Sequence, residues 1–257
     1  MNKETKMLDQ VFSLDRIAMI TAYEFCTARI FEQAGVDIIL VGDSLAMVFQ
    51  GKQETRNATL EEMLYHTRAV VRGAERTPIV SDMPANSYST PEMAVENAGK
   101  FFEAGAHMVK IEGFLPEVVQ ALLENKMPVM GHLGLLPQTA ENYRVVGKNP
   151  EDAERVLEEA KNLDRLGIPA IVLECVPLSL ARRITDETTC KTIGIGAGMY
   201  CDGQVLVAND LLGLYDRKMP KFVRKYADLS QVIRQAAEKY ASDVRSGLFP
   251  GDEESYH

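Results

Sequence analysis

The sequence predicts a (β/α)₈ barrel, an α/β fold in which eight parallel strands alternate with helices. Eight short, apolar, β-rich runs alternate along the chain with longer amphipathic segments, which is the pattern of repeated βα units. The runs lack a clear alternation of apolar and polar residues, as expected of parallel strands buried on both faces. The length of 257 residues also matches the roughly 250 residues of one such barrel. A doubly wound open sheet is the alternative that the pattern leaves open.

The predicted strands are spread over most of the chain, and the barrel is expected to occupy 1–257 as one domain. A short N-terminal extension precedes the first strand, and an acidic tail follows the last helix at Gly251–His257. The run Val205–Val207 is also compatible with the start of a helix. The strands are Ile17–Thr21, Asp37–Gly42, Pro78–Asp82, Met108–Glu112, Met127–Gly131, Ala170–Glu174, Lys191–Gly196 and Val205–Val207.

Helix-start signals lie between the predicted strands. One is a capping box, in which Thr59 is followed three residues later by Glu62. Two others place a cap residue before a proline at the first helical position, at Thr90-Pro91 and Asn149-Pro150. A final helix is expected over about 229–246, ending at a glycine.

Composition and charge narrow the class of protein. With 46% hydrophobic residues the chain has enough apolar material for a large core. Its net charge of −9 makes nucleic acid a poor partner, and no apolar run approaches the ~20 residues of a membrane helix. The four cysteines form no CxxC pair, and the polar start has no signal peptide. We therefore expect a cytoplasmic protein with reduced thiols.

Five predicted strands end in residues with the chemistry of a catalytic site. A single aspartate after a strand is usually a cap or turn residue, but the same pattern at five strand ends is hard to explain in that way. Because the carboxyl ends of parallel strands surround one pocket in a barrel, we expect these side chains to converge. They are Asp43, Ser44, Asp82, Lys110, Glu112, His132 and Glu174.

Three of these side chains, Asp43, Asp82 and Glu112, indicate a hard divalent cation such as Mg²⁺. Buried carboxylates need a cation or hydrogen bonds to stay charged. Mg²⁺ usually takes one or two carboxylates and keeps water or substrate oxygens, so we expect the third to act through water. No cluster of histidine and cysteine indicates zinc.

The glycine-rich run Gly194–Gly198 has the look of a nucleotide-binding loop. The dinucleotide motif, however, belongs in the first βα unit and opens a helix at once. Two interpretations stay open: a tight loop whose backbone passes close to a ligand, and ordinary turn chemistry.

Taken together, the motifs resemble the ketopantoate hydroxymethyltransferase family. The matching stretches run in family order over nearly the whole chain, which is more specific than any single motif. They are Thr21–Tyr23, Val41–Leu45, Asp82–Pro84 with Ser87-Tyr88, Val109–Gly113, Gly131–Leu135, Pro137-Gln138, Leu173–Pro177, Ile193–Gly198, Asp202–Val207, Pro220–Phe222 and Phe249–Gly251.

The resemblance implies a (β/α)₈ barrel of the phosphoenolpyruvate/pyruvate superfamily, a Mg²⁺ ion and a homo-oligomer, decameric in well-known members. It also implies a reaction: 5,10-methylenetetrahydrofolate donates a hydroxymethyl group to 3-methyl-2-oxobutanoate. The product is 2-dehydropantoate, on the route to pantothenate and coenzyme A.

By the same resemblance, the site residues fall into three roles. The metal ligands are Asp43, Asp82 and Glu112, and the contacts of the 2-oxo acid are Asp43, Ser44, Asp82, Lys110 and His132. Glu174 is the general base. These residue types suit the reaction, because a 2-oxo acid chelates Mg²⁺ and the metal stabilises the enolate that forms when a C3 proton leaves.

Five positions depart from the family's pattern: Lys52, Ala85, Arg144, Val146 and Asn209. None is a metal or base position. We expect them in loops that cover the pocket or receive the folate, so any effect should fall on the use of the one-carbon donor.

Two other functions stay open. One is a Mg²⁺-dependent lyase or mutase of the same superfamily, acting on a 2-oxo or 2-hydroxy acid without folate. The other is a barrel that binds a metabolite and catalyses nothing, against which the intact set of acidic residues and the lysine argues.

Overall fold

The computed structural model describes residues 3–214 and 219–257. The chain forms two compact units, Met1–Val207 and Ala208–His257. The expectation of a single domain over 1–257 stays a prediction.

The first unit contains a closed barrel of eight parallel strands. Neighbours in sequence are neighbours in the sheet, and the last strand pairs with the first to close the barrel. The predicted (β/α)₈ barrel is therefore confirmed, and the open doubly wound sheet is excluded. The strands are β1 (Ile17–Thr21), β2 (Ile38–Val41), β3 (Ile79–Asp82), β4 (Met108–Lys110), β5 (Val129–Gly134), β6 (Ala170–Glu174), β7 (Lys191–Ile195) and β8 (Gly203–Leu206).

The strand ends differ from the predicted ones by one to three residues at most positions. Strand β8 corrects the one ambiguous run: Val205 lies in a strand that pairs with Met19 of β1, so the helix interpretation of Val205–Val207 is wrong. This short apolar run becomes a strand because it pairs with β1 and β7 in the closed sheet.

Helices lie between most of the strands. Those of the first unit are α1 (Lys3–Phe12), α2 (Phe25–Gln33), α3 (Leu45–Val48), α4 (Leu60–Gly73), α5 (Pro91–Glu103), α6 (Pro116–Glu124), α7 (Pro150–Leu166) and α8 (Leu178–Glu187). The predicted caps are confirmed, since Thr59, Thr90 and Asn149 each accept a hydrogen bond from a backbone N–H in the first turn.

The predicted N-terminal extension is a helix that packs on the barrel interior. Leu8 of α1 is 6% exposed and belongs to the cluster of apolar side chains inside the barrel. Val11 and Phe12 pack against the same cluster. The interior is therefore filled by side chains rather than open from end to end, as in other barrels of eight strands.

The second unit holds α9 (Ala208–Leu212) and α10 (Leu229–Arg245), so the predicted final helix is confirmed to within one residue. Helix α10 has no buried residue, and it exposes Val232, Ile233 and Tyr240. Within the described residues, no helix is long and apolar enough to cross a membrane.

Candidate active site

The seven predicted site residues lie in the carboxyl-terminal half of β3 to β6 or within three residues after β2 and β4. The barrel brings them together as expected. Five are less than a tenth exposed: Asp43, Asp82, Lys110, Glu112 and His132. Ser44 and Glu174 are partly exposed, with 17% of the Glu174 side chain accessible, so they lie nearer the mouth of the pocket.

The end of β2 lies close to the end of β3. A β-carbon added at Gly42 would lie 2.8 Å from Ser44 Oγ, so the Ser44 hydroxyl would have to move. The backbone N–H of Asp43 donates to Asp82 Oδ2 at 3.0 Å. The two aspartates are held together by this bond.

The two aspartates offer one oxygen each. Asp82 Oδ2 takes the hydrogen bond from Asp43 N, and Asp43 Oδ2 takes one from Gln138 Nε2 at 2.8 Å. Asp82 Oδ1 is buried and forms an ion pair with Lys110 Nζ at 3.1 Å, and among the described residues it has no other polar partner. The hydrogen bonds of Asp43 do not involve its Oδ1 within that part of the chain.

This donor set fits Mg²⁺. Across the described part of the chain, no three His, Cys, Asp or Glu side chains are grouped closely enough to hold an ion by themselves. Mg²⁺ does not need such a cage, because it binds through one or two carboxylates and completes its shell with water and substrate oxygens. The Oδ1 atoms of Asp43 and Asp82 lie outside the hydrogen bonds that hold the two side chains, and they are oxygens of this kind.

Glu112 is tied to the loop after β5 rather than to the two aspartates. Its Oε2 accepts from the backbone N–H of Gln138 at 2.9 Å, and its Oε1 lies 3.6 Å from His132 Nδ1. Burial raises the pKa of Glu112 well above its usual range. This position suits a carboxylate that acts on a cation through water.

Burial also raises the pKa of Asp43 to about 7, with the charge of Asp82 adding to the effect. Lys110 shows the complementary effect: burial disfavours its charge, but Asp82, Glu112 and Asp43 outweigh burial and raise its pKa. The ammonium therefore stays charged, and the pocket still lacks positive charge for its other carboxylates.

Lys110 fixes the tautomer of His132. The His132 Nδ1 atom lies 3.2 Å from Lys110 Nζ, and an ammonium group can only donate. Nδ1 must therefore accept, which places the ring proton on Nε2. Burial, followed by the charge of Lys110, lowers the pKa of His132 well below its usual value, so the ring is neutral.

The Nε2–H of His132 faces Glu174 without bonding to it. Nε2 lies 3.3 Å from Glu174 Oε2, but the N–H direction misses this oxygen and, within the described residues, Nε2 has no hydrogen-bond partner. A buried donor without a partner costs free energy, so this group is suited to a substrate oxygen.

Glu174 ends β6 and has the environment of a base. Burial raises its pKa to about 7, against the opposing charge of Lys110. Its backbone is held by Gly134 of β5, whose φ is +96° and at which a β-carbon would lie 2.3 Å from Glu174 O. Only glycine allows this approach.

Three site residues were missed as functional residues in the sequence, although each lies in a motif. Tyr23 OH lies 2.9 Å from Ser44 Oγ and accepts from Thr21 Oγ1. Tyr88 and Gln138 form a buried hydrogen bond beside Glu112. The only available signal was their presence in the family-like stretches, because no charge or spacing marks them.

Two of the positions that depart from the family pattern, Lys52 and Val146, make hydrogen bonds to neighbouring segments. Lys52 Nζ binds Glu62, the capping-box residue of α4, at 2.7 Å and Asn57 O at 2.9 Å. Val146 contributes its backbone N–H to Cys175 O at 2.9 Å. Lys52 therefore holds a loop to a helix start.

The glycine-rich run ends β7 and leads to β8 instead of a helix, so a dinucleotide-binding arrangement is excluded. Gln204 Nε2 donates to Gly198 O at 2.9 Å. This bond holds the turn, and the close approach of the loop's backbone to a ligand stays a prediction.

A closed barrel with buried carboxylates, a charged lysine and a raised-pKa glutamate at its carboxyl rim has the arrangement of a (β/α)₈-barrel enzyme. Solved structures support the fold. Phosphonopyruvate hydrolase in complex with oxalate and Mg²⁺ matches with a TM-score of 0.67 at 11% identity, covering 100% of this chain and 92% of that one. A 2,3-dimethylmalate lyase matches with a TM-score of 0.63 at 14% identity, covering 98% and 91%.

The particular family follows from closer relatives. The family model described as ketopantoate hydroxymethyltransferase matches residues 3–252. The 3-methyl-2-oxobutanoate hydroxymethyltransferase of Syntrophus aciditrophicus is 48% identical, covering 94% of this chain and 92% of its own. That of Enterococcus faecalis is 44% identical, covering 99% and 93%. The chain belongs to the ketopantoate hydroxymethyltransferase family, as its motifs predicted.

Proposed function

We propose that this protein transfers a hydroxymethyl group from 5,10-methylenetetrahydrofolate to 3-methyl-2-oxobutanoate, giving 2-dehydropantoate for pantothenate synthesis. Family membership supports the reaction. The observation that carries the site is the pair Asp43 and Asp82. Each keeps one carboxylate oxygen outside the hydrogen bonds that hold the pair, and both lie beside Lys110 at the rim that also carries Glu174.

Asp43 and Asp82 would hold Mg²⁺, and Glu112 would act on it through water. When bound, the ion polarises the keto group of the 2-oxo acid and makes its C3 proton more acidic. Lys110 leaves carboxylates of the pocket without a positive partner, so the charges of these residues would suit a divalent cation.

The substrate would be oriented by three side chains. The Lys110 ammonium provides the positive charge that a substrate carboxylate needs. Ser44, held through Tyr23 OH at 2.9 Å, offers a hydroxyl at the mouth of the pocket. The Nε2–H of His132 is a fixed donor for a substrate oxygen, since its other nitrogen is bound to the ammonium.

Glu174 would remove the C3 proton. Its raised pKa makes the ionised carboxylate a stronger base than an exposed glutamate. The electrons of the broken C–H bond pass to the carbon skeleton, and C3 bonds to the one-carbon unit at the level of formaldehyde. Both bonds from the one-carbon unit to the folate nitrogens break. The oxygen of one water becomes the hydroxyl oxygen, its two protons go to the nitrogens of the departing tetrahydrofolate, and the proton from C3 passes through Glu174 to the new hydroxyl group.

The test is formation of 2-dehydropantoate from 3-methyl-2-oxobutanoate, measured with and without the folate donor and Mg²⁺. We expect product only when both are present. Cleavage of 2-hydroxy diacids without folate would instead favour the lyase or mutase. Absence of turnover together with absence of Mg²⁺-dependent C3 exchange would favour a barrel that only binds a metabolite.

The homo-oligomer and the cytoplasmic location expected from the sequence are part of this proposal. Light scattering of the purified protein measures the first of them. A decamer would scatter far above the 28.5 kDa of one chain, whereas a monomer would contradict the proposal.

A further inference from the structure

Gln138 contacts the acidic side chains of the site although it carries no charge. It lies between β5 and α7 and is 5% exposed. Its Nε2 donates to Asp43 Oδ2 at 2.8 Å and to Met83 O at 3.0 Å. Its backbone N–H donates to Glu112 Oε2 at 2.9 Å, and its Oε1 accepts from Tyr88 OH.

These partners allow one orientation of the amide. Nε2 faces a carboxylate oxygen and a backbone carbonyl, which can only accept. Burial, followed by the charge of Glu112, raises the pKa of Tyr88, so its hydroxyl keeps the proton that it donates to Oε1. A flipped amide would place Oε1 against two acceptors and leave Tyr88 without one.

The fixed amide determines which oxygen of Asp43 is available. Because Nε2 takes one lone pair of Oδ2, Oδ1 is the oxygen whose lone pairs are both left for a cation. Asp82 is held in the same way, since Asp43 N occupies its Oδ2. Hydrogen-bond partners of this kind orient metal ligands, and removing one typically lowers metal affinity.

We propose that Gln138 is a positioning residue for the metal, which orients Asp43 and keeps its Oδ1 directed to the ion. The inference rests on the proposed function, because it takes Asp43 as a ligand of Mg²⁺. It assigns to the loop after β5 a part in metal binding that the acidic residues alone do not reveal.

The test is Gln138→Met, which keeps the length of the side chain and removes its hydrogen bonds. Mn²⁺ serves as the probe, and its binding to the full-length protein without substrate is followed by electron paramagnetic resonance. We expect the dissociation constant to rise by roughly 10- to 100-fold. Gln120→Met, at an exposed position of α6, is the matched control and should bind Mn²⁺ as the unchanged protein does.

A second variant, Tyr88→Phe, removes the hydroxyl that orients Oε1 but leaves Nε2 in place. We expect a smaller loss of Mn²⁺ affinity, and this variant decides the question if Gln138→Met does not fold. Thermal unfolding in the presence of a chelator distinguishes a positioning role from a purely structural one. A purely structural role would lower the melting temperature and leave Mn²⁺ affinity unchanged.

Unchanged Mn²⁺ affinity in a folded Gln138→Met protein, or in Tyr88→Phe when the former is unfolded, overturns the inference. If the protein without any substitution binds no Mn²⁺, the result is a different one, because it contradicts the proposed metal site itself. The two failures are therefore distinguishable.

Discussion

Glu174 has a pKa that places its proton transfer within an accessible pH range. Burial raises this pKa to about 7, and only the ionised carboxylate can accept a proton. We therefore expect C3 deuterium exchange of 3-methyl-2-oxobutanoate to rise with pH and to level off above about 7. Exchange that is independent of pH between 5 and 9 would contradict this assignment.

Replacing the base should separate binding from chemistry. Glu174→Gln keeps the size of the side chain but cannot take the proton, so C3 exchange should slow by roughly 10²–10⁴-fold. Binding of the 2-oxo acid with Mg²⁺, measured by calorimetry, should persist. Exchange near the unchanged rate would remove Glu174 from the role of base.

Asp82 provides a test of the metal ligands. In Asp82→Ala we expect binding of the 2-oxo acid to lose most of its dependence on Mg²⁺, because one of two carboxylate ligands is gone. The control is Asp186→Ala, at an exposed position of α8, which should titrate as the unchanged protein. If Asp82→Ala binds the 2-oxo acid equally well with and without Mg²⁺, at concentrations where Mg²⁺ strengthens binding to the unchanged protein, the assignment is confirmed. If Mg²⁺ strengthens binding to Asp82→Ala as much as to the unchanged protein, the assignment is contradicted.

At the scale of single residues, the sequence predicts charged groups better than neutral ones. Asp43, Asp82 and Glu174 could be found because carboxylates after strands signal chemistry without a structure. Gln138 could not, since its importance depends on a loop that brings it to a partner 95 residues away. The tautomer of His132 likewise depends on the position of Lys110.

At the scale of elements, substitution of Gly134 tests how closely β5 must approach β6. In Gly134→Ala the new methyl group would meet Glu174 O at 2.3 Å in a residue with φ of +96°. Gly167→Ala has a similar φ of +90° and nothing within 4 Å, so it measures backbone strain alone.

We expect Gly167→Ala to lower the free energy of unfolding by about 1 kcal/mol and Gly134→Ala to lower it further. Urea unfolding measures both. The second variant should also lose C3 exchange, because it displaces Glu174. Equal free energies of unfolding for Gly134→Ala and Gly167→Ala would show that β5 and β6 accommodate the added methyl group without loss of stability.

Helix starts were predicted well because a cap is a local signal: Thr59 and Glu62 lie within one turn of each other. Strand ends were predicted less precisely, because the end of a strand depends on how far the neighbouring strand pairs with it, and the sequence of one strand does not contain that information. The eighth strand was the hardest case, because Val205 becomes part of a sheet only through its pairing with β1.

At the scale of the whole molecule, the buried carboxylates should link stability to metal and pH. Asp43 binds a proton more tightly in the folded chain, where its pKa is about 7, than at its usual value of 3.8. Its contribution to stability is therefore present at low pH and lost as pH rises from about 4 to 7. A bound cation replaces that proton.

We expect Mg²⁺ to raise the melting temperature more at pH 8 than at pH 5, since protons compete for the carboxylates at the lower pH. Thermal unfolding with Mg²⁺ or a chelator at both values measures this difference. The effect should disappear in Asp82→Ala. An equal rise at the two pH values would show that the stabilising metal binds elsewhere.

The family and the barrel could be predicted over the whole chain, because motif order and βα alternation are spread through it. The division at Val207 and Ala208 could not, since it depends on which segments pack together. No break in composition marks it.

The pairing of β1 with β8 has a consequence for synthesis of the protein. On a ribosome, β1 emerges long before β8, the strand that completes the sheet, which is made only when Gly203–Leu206 have been added. Until then the nascent sheet has two open edges, which are prone to associate with other chains. We therefore expect fragments released before β8 to be captured by chaperones or to aggregate, however well their helices form.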